Sequence, residues 1–199
     1  LSKASTALEK VEILSMRVRQ YNTVGKPEEA IRSGIEGLAL LGFQISENPG
    51  ALAVLKEIIL ARLNLGRKKI DDLLQAPVLT DPHKKAAARL FTEISPAAFI
   101  LGRDNLFGLV QLKIVNLSLK HGNCPESAYA YIAFGTVLKE AFGELKEAES
   151  FGKLGMDVNE KLGDIEYRCR VIAAYGVLTH HFNHHWNTSP DWFKKGVEA

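Results

Sequence analysis

One pattern in this chain occurs twice: Gly25, Glu29, Ala30, Gly34 and Gly37 return with the same spacing as Gly143, Glu147, Ala148, Gly152 and Gly155. Each copy opens on a glycine and continues with small residues three or four positions apart, which in an α-helix fall on one side. Glycine inside a helix costs about 1 kcal/mol relative to alanine, so its repeated use implies a neighbour that must come close. The expectation is a repeated helical hairpin whose second helix presents a small-residue face. The offset of 118 residues fits three units of roughly 39 residues better than strict units of about 34, with an irregular middle.

Helix starts are signalled throughout. Asn48-Pro49, Asp81-Pro82, Ser95-Pro96 and Ser189-Pro190 each place a capping side chain before a proline, and Lys26-Pro27 and Cys124-Pro125 mark weaker starts. Apolar residues follow at helical steps. Leu8, Val11, Leu14, Val18 and Tyr21 form one stripe, and Leu52, Leu55, Ile59 and Leu63 a second. Phe107, Val110, Ile114 and Leu117 form a third. Leu106, Leu109 and Leu112 make that last helix apolar around much of its circumference, so it should lie between others. Helices are expected near residues 2–22, 27–42, 50–66, 68–75, 82–93, 96–101, 103–121, 125–142, 144–162, 164–185 and 190–199. No strand is expected, and Ala76-Pro77 should end a helix.

Composition narrows the function. A net charge of +2 supplies no basic stripe, so nucleic acid is not an expected partner. No apolar run approaches the roughly 20 residues that span a bilayer, and residues 1–10 lack a signal-peptide core. Cys124 and Cys169 form neither a metal-ligand pair by spacing nor a disulfide framework. A reduced, cytoplasmic chain is expected, cut from something longer.

Within the first unit, Tyr21, Ala30 and Gly37 fall where a tetratricopeptide unit carries a tyrosine and two small packing residues, while Leu14 stands in place of its tryptophan. From about Ala51 onward the chain also resembles the helical repeat region of large multidomain bacterial signalling ATPases. Those chains join a serine/threonine kinase-like domain, an AAA-type ATPase, a helical repeat region, a GAF sensor and often a histidine kinase. The stretch Leu117 to Tyr131 (LSLKHGNCPESAYAY) carries the likeness. It is supported by Leu73 to Pro82 (LLQAPVLTDP), Phe151-Gly152-Lys153-Leu154-Gly155 and His185-Trp186. The resemblance implies a repeat module without nucleotide-binding or phosphoacceptor residues of its own.

Two groups are candidate sites. His180, His181, His184 and His185 would stand in two pairs, one turn apart on a helix, a spacing suited to a borderline metal. The glutamate of a zincin pattern is missing, and a cationic helix end is the plainer reading. Tyr129, Tyr131 and Phe134, with Tyr167, Tyr175 and Phe182, would line a groove for a peptide or pack one repeat on the next. The basic run Arg67-Lys68-Lys69 with Lys84 and Lys85 reads as a solvated turn. Glu28-Glu29, Asp71-Asp72 and Glu147 with Glu149 read as helix-dipole partners. No nucleophile elbow, phosphate loop or dinucleotide fingerprint occurs.

The expected fold is therefore all-α, a solenoid of tetratricopeptide-like helix-turn-helix repeats filling residues 1–199 as one module. The expected role is a non-catalytic interaction and signal-relay scaffold with no cofactor. Its partner would be a protein or the neighbouring domains of its parent chain, with oligomeric state left open. The alternative is a ligand- or metal-sensing helical domain using His180 to His185. The terminal segment, Pro190 to Ala199, is amphipathic, and Trp192, Phe193 and Val197 should need cover.

Overall fold

The computed structural model describes residues 6–182 and 185–198. The chain is all-helical, at 81% helix, with no strand among the described residues. Among the described residues nine α-helices follow in order: α1 (Ala7–Thr23), α2 (Pro27–Leu40), α3 (Ala51–Leu65), α4 (Pro82–Ile100), α5 (Asp104–His121), α6 (Pro125–Phe142), α7 (Leu145–Leu162), α8 (Ile165–Leu178) and α9 (Ser189–Glu198). Short 3-10 turns occur at Ile70–Gln75, His180–Phe182 and Trp186–Thr188. None of the described helices is long and apolar enough to cross a membrane.

Two compact units share the chain. One comprises Leu1–Ala61 and Leu79–Leu117, the other Arg62–Val78 and Ser118–Ala199. No linker in the sequence marks this division, because the chain crosses it inside α3, after Val78, and again inside α5.

In the first unit α1 and α2 form a hairpin on which α4 packs. A capping box at Thr6 and Glu9 starts α1, and Val11, Leu14 and Val18 are its buried stripe. Gly25 ends the turn with φ +69°, the left-handed region that a side chain at this position would resist. On α2, a Cβ placed on Gly34 would lie 2.4 Å from Ile94 of α4, and one on Gly37 would lie 2.8 Å from Leu90. In the second unit α6 and α7 form the equivalent hairpin, turning at Gly143, again at φ +69°. A Cβ on Gly155 would lie 2.4 Å from the Ala128 carbonyl of α6, and one on Gly152 would lie 2.2 Å from Thr179, just past α8. The repeated glycines within α2 and α7 thus all stand at close helix contacts, with different neighbours in the two units. Gly34 and Gly37 both face α4 first, with Val18 and Leu14 of α1 each at 3.6 Å. On α7, Gly152 faces the end of the third helix and Gly155 faces the hairpin partner α6. In the second unit α8 follows its hairpin directly, whereas residues 41–81 precede α4 in the first, which explains the irregular spacing.

Four expectations are corrected. Ser95-Pro96 does not begin a helix, since α4 runs through it from Pro82 to Ile100. The Ser95 hydroxyl donates to the Phe91 carbonyl at 3.0 Å and accepts from Gln111 Nε2 at 2.6 Å, so it is not free to cap. Burial of nearly every residue from Ala87 to Ala98 holds the helix through the proline, whose missing N–H would normally break it. Asn48-Pro49 precedes the first residue of α3 by two positions, and residues 68–75 make only a 3-10 turn. The tenth expected helix, 164–185, ends at Leu178: Thr179 turns its methyl toward Gly152, and the Phe182 N–H closes a tight turn on the Thr179 carbonyl at 3.0 Å. On α5, Leu106, Leu109, Val110, Leu112 and Ile114 are all buried, on more than one side of the helix.

Buried polar groups lock the first unit, and a half-buried ion-pair cluster ties the second. Glu93 of α4 accepts from the Ser15 hydroxyl of α1 at 2.6 Å and pairs with Arg89 at 3.3 Å and Arg19 at 3.6 Å. Burial raises its pKa despite the lowering by Ser15 and the arginines. Glu57 of α3 takes Lys113 Nζ at 2.7 Å and Asn116 Nδ2 at 2.9 Å from α5. In the second unit Arg62 is clasped by Glu144 and by Glu147, the latter at 2.6 Å.

Gly155→Ala is expected to lower stability by about 1–3 kcal/mol, because a backbone carbonyl is the obstacle. Gly50→Ala, whose Cβ meets nothing within 4 Å, should leave the urea midpoint nearly unchanged. Glu93 carries a pH signature. With its folded pKa raised above the ordinary 4.5, its contribution is full below that value and is lost as pH climbs through the folded pKa. Unfolding of wild type and Glu93→Gln followed across this range should show the wild type losing ground as pH rises; parallel curves would contradict it.

Candidate interaction surfaces

The four tyrosines expected along one groove are divided between the core and two different contacts. Tyr131 is fully enclosed: its hydroxyl donates to Asn123 Oδ1 at 2.9 Å and its ring lies 6.0 Å from that of Phe151. Burial pushes its phenol well above the ordinary range. It gives a partner no surface, so Tyr131 is a packing residue rather than a docking one. Phe134 sits edge-on to the same Phe151 ring at 4.9 Å, also buried. Tyr167 is buried with its hydroxyl 3.5 Å from Glu126. Tyr129 is half-buried beneath the Arg170 guanidinium, 4.8 Å from the ring centre. Tyr175 is half-buried and meets Trp192 of α9 edge-on at 4.8 Å.

Because α8 stops at Leu178, His180, His181 and His185 do not share a helix face. His180 and His181 lie in a 3-10 turn, His185 follows outside any helix, and His184 lies outside the described residues. The Thr188 hydroxyl donates to the His185 carbonyl at 2.7 Å, so at its 2.7 Å contact with His180 Nε2 it must accept, and Nε2 carries the proton. The His180 ring packs 5.5 Å from Trp192 and 6.1 Å from Tyr175. His181 lies edge-on to Phe182 at 4.7 Å, and His185 Nδ1 accepts the Asn187 N–H at 3.3 Å. Among the described residues no three His, Cys, Asp or Glu side chains are placed to hold a metal ion.

Charged candidates resolve into local contacts. Lys84 bonds Asp81, the cap of α4, whose carboxyl is held down to about 2 by that lysine. Lys68 reaches the Leu119 carbonyl at 3.3 Å and so caps the end of α5. Arg67 and Lys69 are exposed, as are Asp71 and Asp72 at the start of the 3-10 turn. The buried carboxylates Glu57 and Glu93 are occupied by the partners already described, and Glu126, also buried, has the Tyr167 hydroxyl at 3.5 Å.

The second apolar stripe picked out by helical spacing lies on the surface. On α3, Leu52 is 82% exposed, Leu55 45% and Ile59 51%, while Ile58 and Ala61 are buried. Nearly every position of this helix is apolar, so periodicity alone cannot choose the inner face. The Glu57 bonds to Lys113 and Asn116 do choose it, by fixing the rotation of the helix and turning the expected stripe outward.

The stretches around Leu73 and Leu117–Tyr131 meet in one corner. Asn123 donates its backbone N–H to the Pro77 carbonyl at 2.8 Å and its side-chain amide to the Leu73 carbonyl at 2.8 Å, while accepting from Tyr131. Ser118 and Ser127 share a hydrogen bond at 2.6 Å beside it. At Gly122 a Cβ would lie 2.2 Å from the Pro77 carbonyl oxygen, so residues 73–78 form a strap in direct backbone contact with the end of α5. Asn123 thus organises a strap-to-helix corner, a role that residue spacing does not disclose. Compared with protein families, curated proteins and solved structures, the chain matches none.

The two thiols should separate cleanly. Burial, with the Glu126 charge, pushes Cys124 up to about 12, whereas Cys169 is exposed. A thiol reagent at neutral pH is expected to titrate one cysteine rapidly in the folded chain and the second only on unfolding. Cys169→Ser should remove the fast phase.

Proposed function

We propose that this chain is a non-catalytic interaction and signal-relay module built of tetratricopeptide-like helical hairpins. In a parent protein such as the multidomain signalling ATPases that it resembles, it would work between the ATPase and the sensor or kinase output. The outward face of α3 carries this reading. Leu52, Leu55 and Ile59 stand at successive helical turns with Lys56 among them, an apolar strip of the kind that a second helix covers. The two helical hairpins, each with closely packed glycines, support it further. The partner on this reading is a protein, either separate or a neighbouring domain of the same parent.

Capture from host lysate, read by mass spectrometry, tests the reading when the wild-type chain is run beside Leu55→Glu/Ile59→Glu. Both substitutions are on exposed positions, so far-UV circular dichroism should be unchanged. The expected result is a protein or parent domain retained by the wild type and reduced at least tenfold by the variant. Equal retention by both would remove α3 from the reading, and no enrichment over blank resin would count against the module as a scaffold.

A further inference from the structure

Between α2 and α3 the chain makes no helix, yet residues 41–50 are pinned along their length. The Phe43 N–H donates to the Leu38 carbonyl at 2.9 Å, and the Phe43 ring stands edge-on to Phe91 at 5.5 Å. Farther on, the Asn48 N–H donates to the Ser46 hydroxyl at 3.1 Å, and Pro49 is buried. Glu47, the one acid of this loop, pairs with Arg32 at 3.6 Å and Arg103 at 3.8 Å. A loop held in this way presents a preformed wall.

Behind that wall lies a cavity of about 310 Å³, at the small end of the range of about 300–1,000 Å³ over which ligand sites fall. Pro49, Ala53 and Leu109 give it an apolar side. Its other side is ionic. Glu57, only 4% exposed, and Lys113 both line the cavity and bond to each other at 2.7 Å. That bond does not exhaust them. Lys113 gives Glu57 one of three N–H donors, and the two Glu57 oxygens, holding Lys113 and Asn116, keep further lone pairs. Exposed Lys56 adds a second ammonium, while Gln44 and Asn48 add two amides. Two lysines against one carboxylate leave the lining with a single positive charge. Replacing a buried ion pair by apolar residues is often neutral or better for stability. Stability alone therefore does not account for a pair that opens on a cavity, where it sets an acceptor beside two cations.

We propose that this cavity binds a small carboxylic acid with a hydroxyl or amino group next to the carboxylate, the class of hydroxy and amino acids. The ligand carboxylate takes Lys56 and the spare donors of Lys113. Its hydroxyl or amine donates to Glu57, and its short carbon chain rests on Leu109 and Pro49. A neutral polyol has no charge for the lysines, and a plain carboxylate has no donor for Glu57. The site shares only Lys56 with the outward strip of α3, and its ligand is independent of the scaffold reading.

The test titrates the whole chain with glycerate, serine, glycerol and acetate, followed by amide chemical shifts. Glycerate or serine should shift the amides of residues 44–50 and those around Lys113 saturably. The affinity should exceed that for acetate at least tenfold, and glycerol should leave the same amides unmoved. Ala53→Leu fills the cavity from its apolar side and keeps every charge, and Lys56→Gln changes an exposed position. Each should weaken the binding at least tenfold while the urea midpoint stays near that of the wild type. Absence of saturable shifts with both acids up to tens of millimolar would overturn the proposal. So would acetate or glycerol binding as tightly as glycerate and serine, or binding that survives both variants unchanged. The readout needs no protein partner, so failure of capture through α3 would leave it untouched.

Discussion

Side chains normally keep two packed helices 8–10 Å apart. Where a glycine stands at the contact that spacer is gone, and the neighbour settles against the backbone itself. Both hairpins depend on this. Ile94 and Leu90 fill the places left open by Gly34 and Gly37, and the Ala128 carbonyl and Thr179 fill those left by Gly155 and Gly152. The contact also runs in reverse, because Gly135 of α6 receives the Ala148 carbonyl of α7, with 2.5 Å to an added Cβ. Such surfaces have little room for sliding. A side chain can change rotamer to absorb a displacement, whereas backbone against backbone cannot, so sliding is most restricted between α6 and α7, where Gly135 and Gly155 meet carbonyls of the facing helix.

Upon that steric frame the buried polar groups decide orientation. Glu57, Glu93 and Asn123 each bond across elements distant in sequence, and each is satisfied by more than one partner. An apolar contact tolerates rotation of a helix about its axis, but a hydrogen bond of 2.6–2.9 Å does not. The α3 helix shows the difference, since its sequence would accept several inner faces and its carboxylate accepts one.

The doubled glycine pattern was legible because steric need repeats itself in residue identity, and the all-helical class followed from spacing alone. The hairpin boundaries followed too: α6 begins and ends where proline and glycine indicate. What escaped was whatever depends on residues far apart in the chain. Ser95-Pro96 has the local form of a helix start, yet Gln111, sixteen residues on, takes the serine. The stripe from Leu52 to Leu63 has the form of a buried face, yet Lys113 and Asn116 turn it outward. The histidine segment has helical spacing, but the helix is stopped by Thr179 at a glycine 27 positions earlier, Gly152. Tyr131 is recognisable as an aromatic on a helix, while its role waits on Asn123 and, through it, on Leu73 and Pro77.

The threading of the chain between its two units bears on how it is made. Residues 62–78 belong with Ser118 onward, and residues before and after them belong together. During vectorial synthesis the first unit therefore stays unfinished until α4 and α5 have emerged, its Ser15–Glu93 bond spanning 78 residues. Meanwhile the strap waits for a partner that has not yet been translated. No single cut in the polypeptide releases either unit whole. Shuffling by gene fusion, so common among helical arrays whose repeats are contiguous, has no seam to use here, and this stretch of chain is inherited as one piece or not at all.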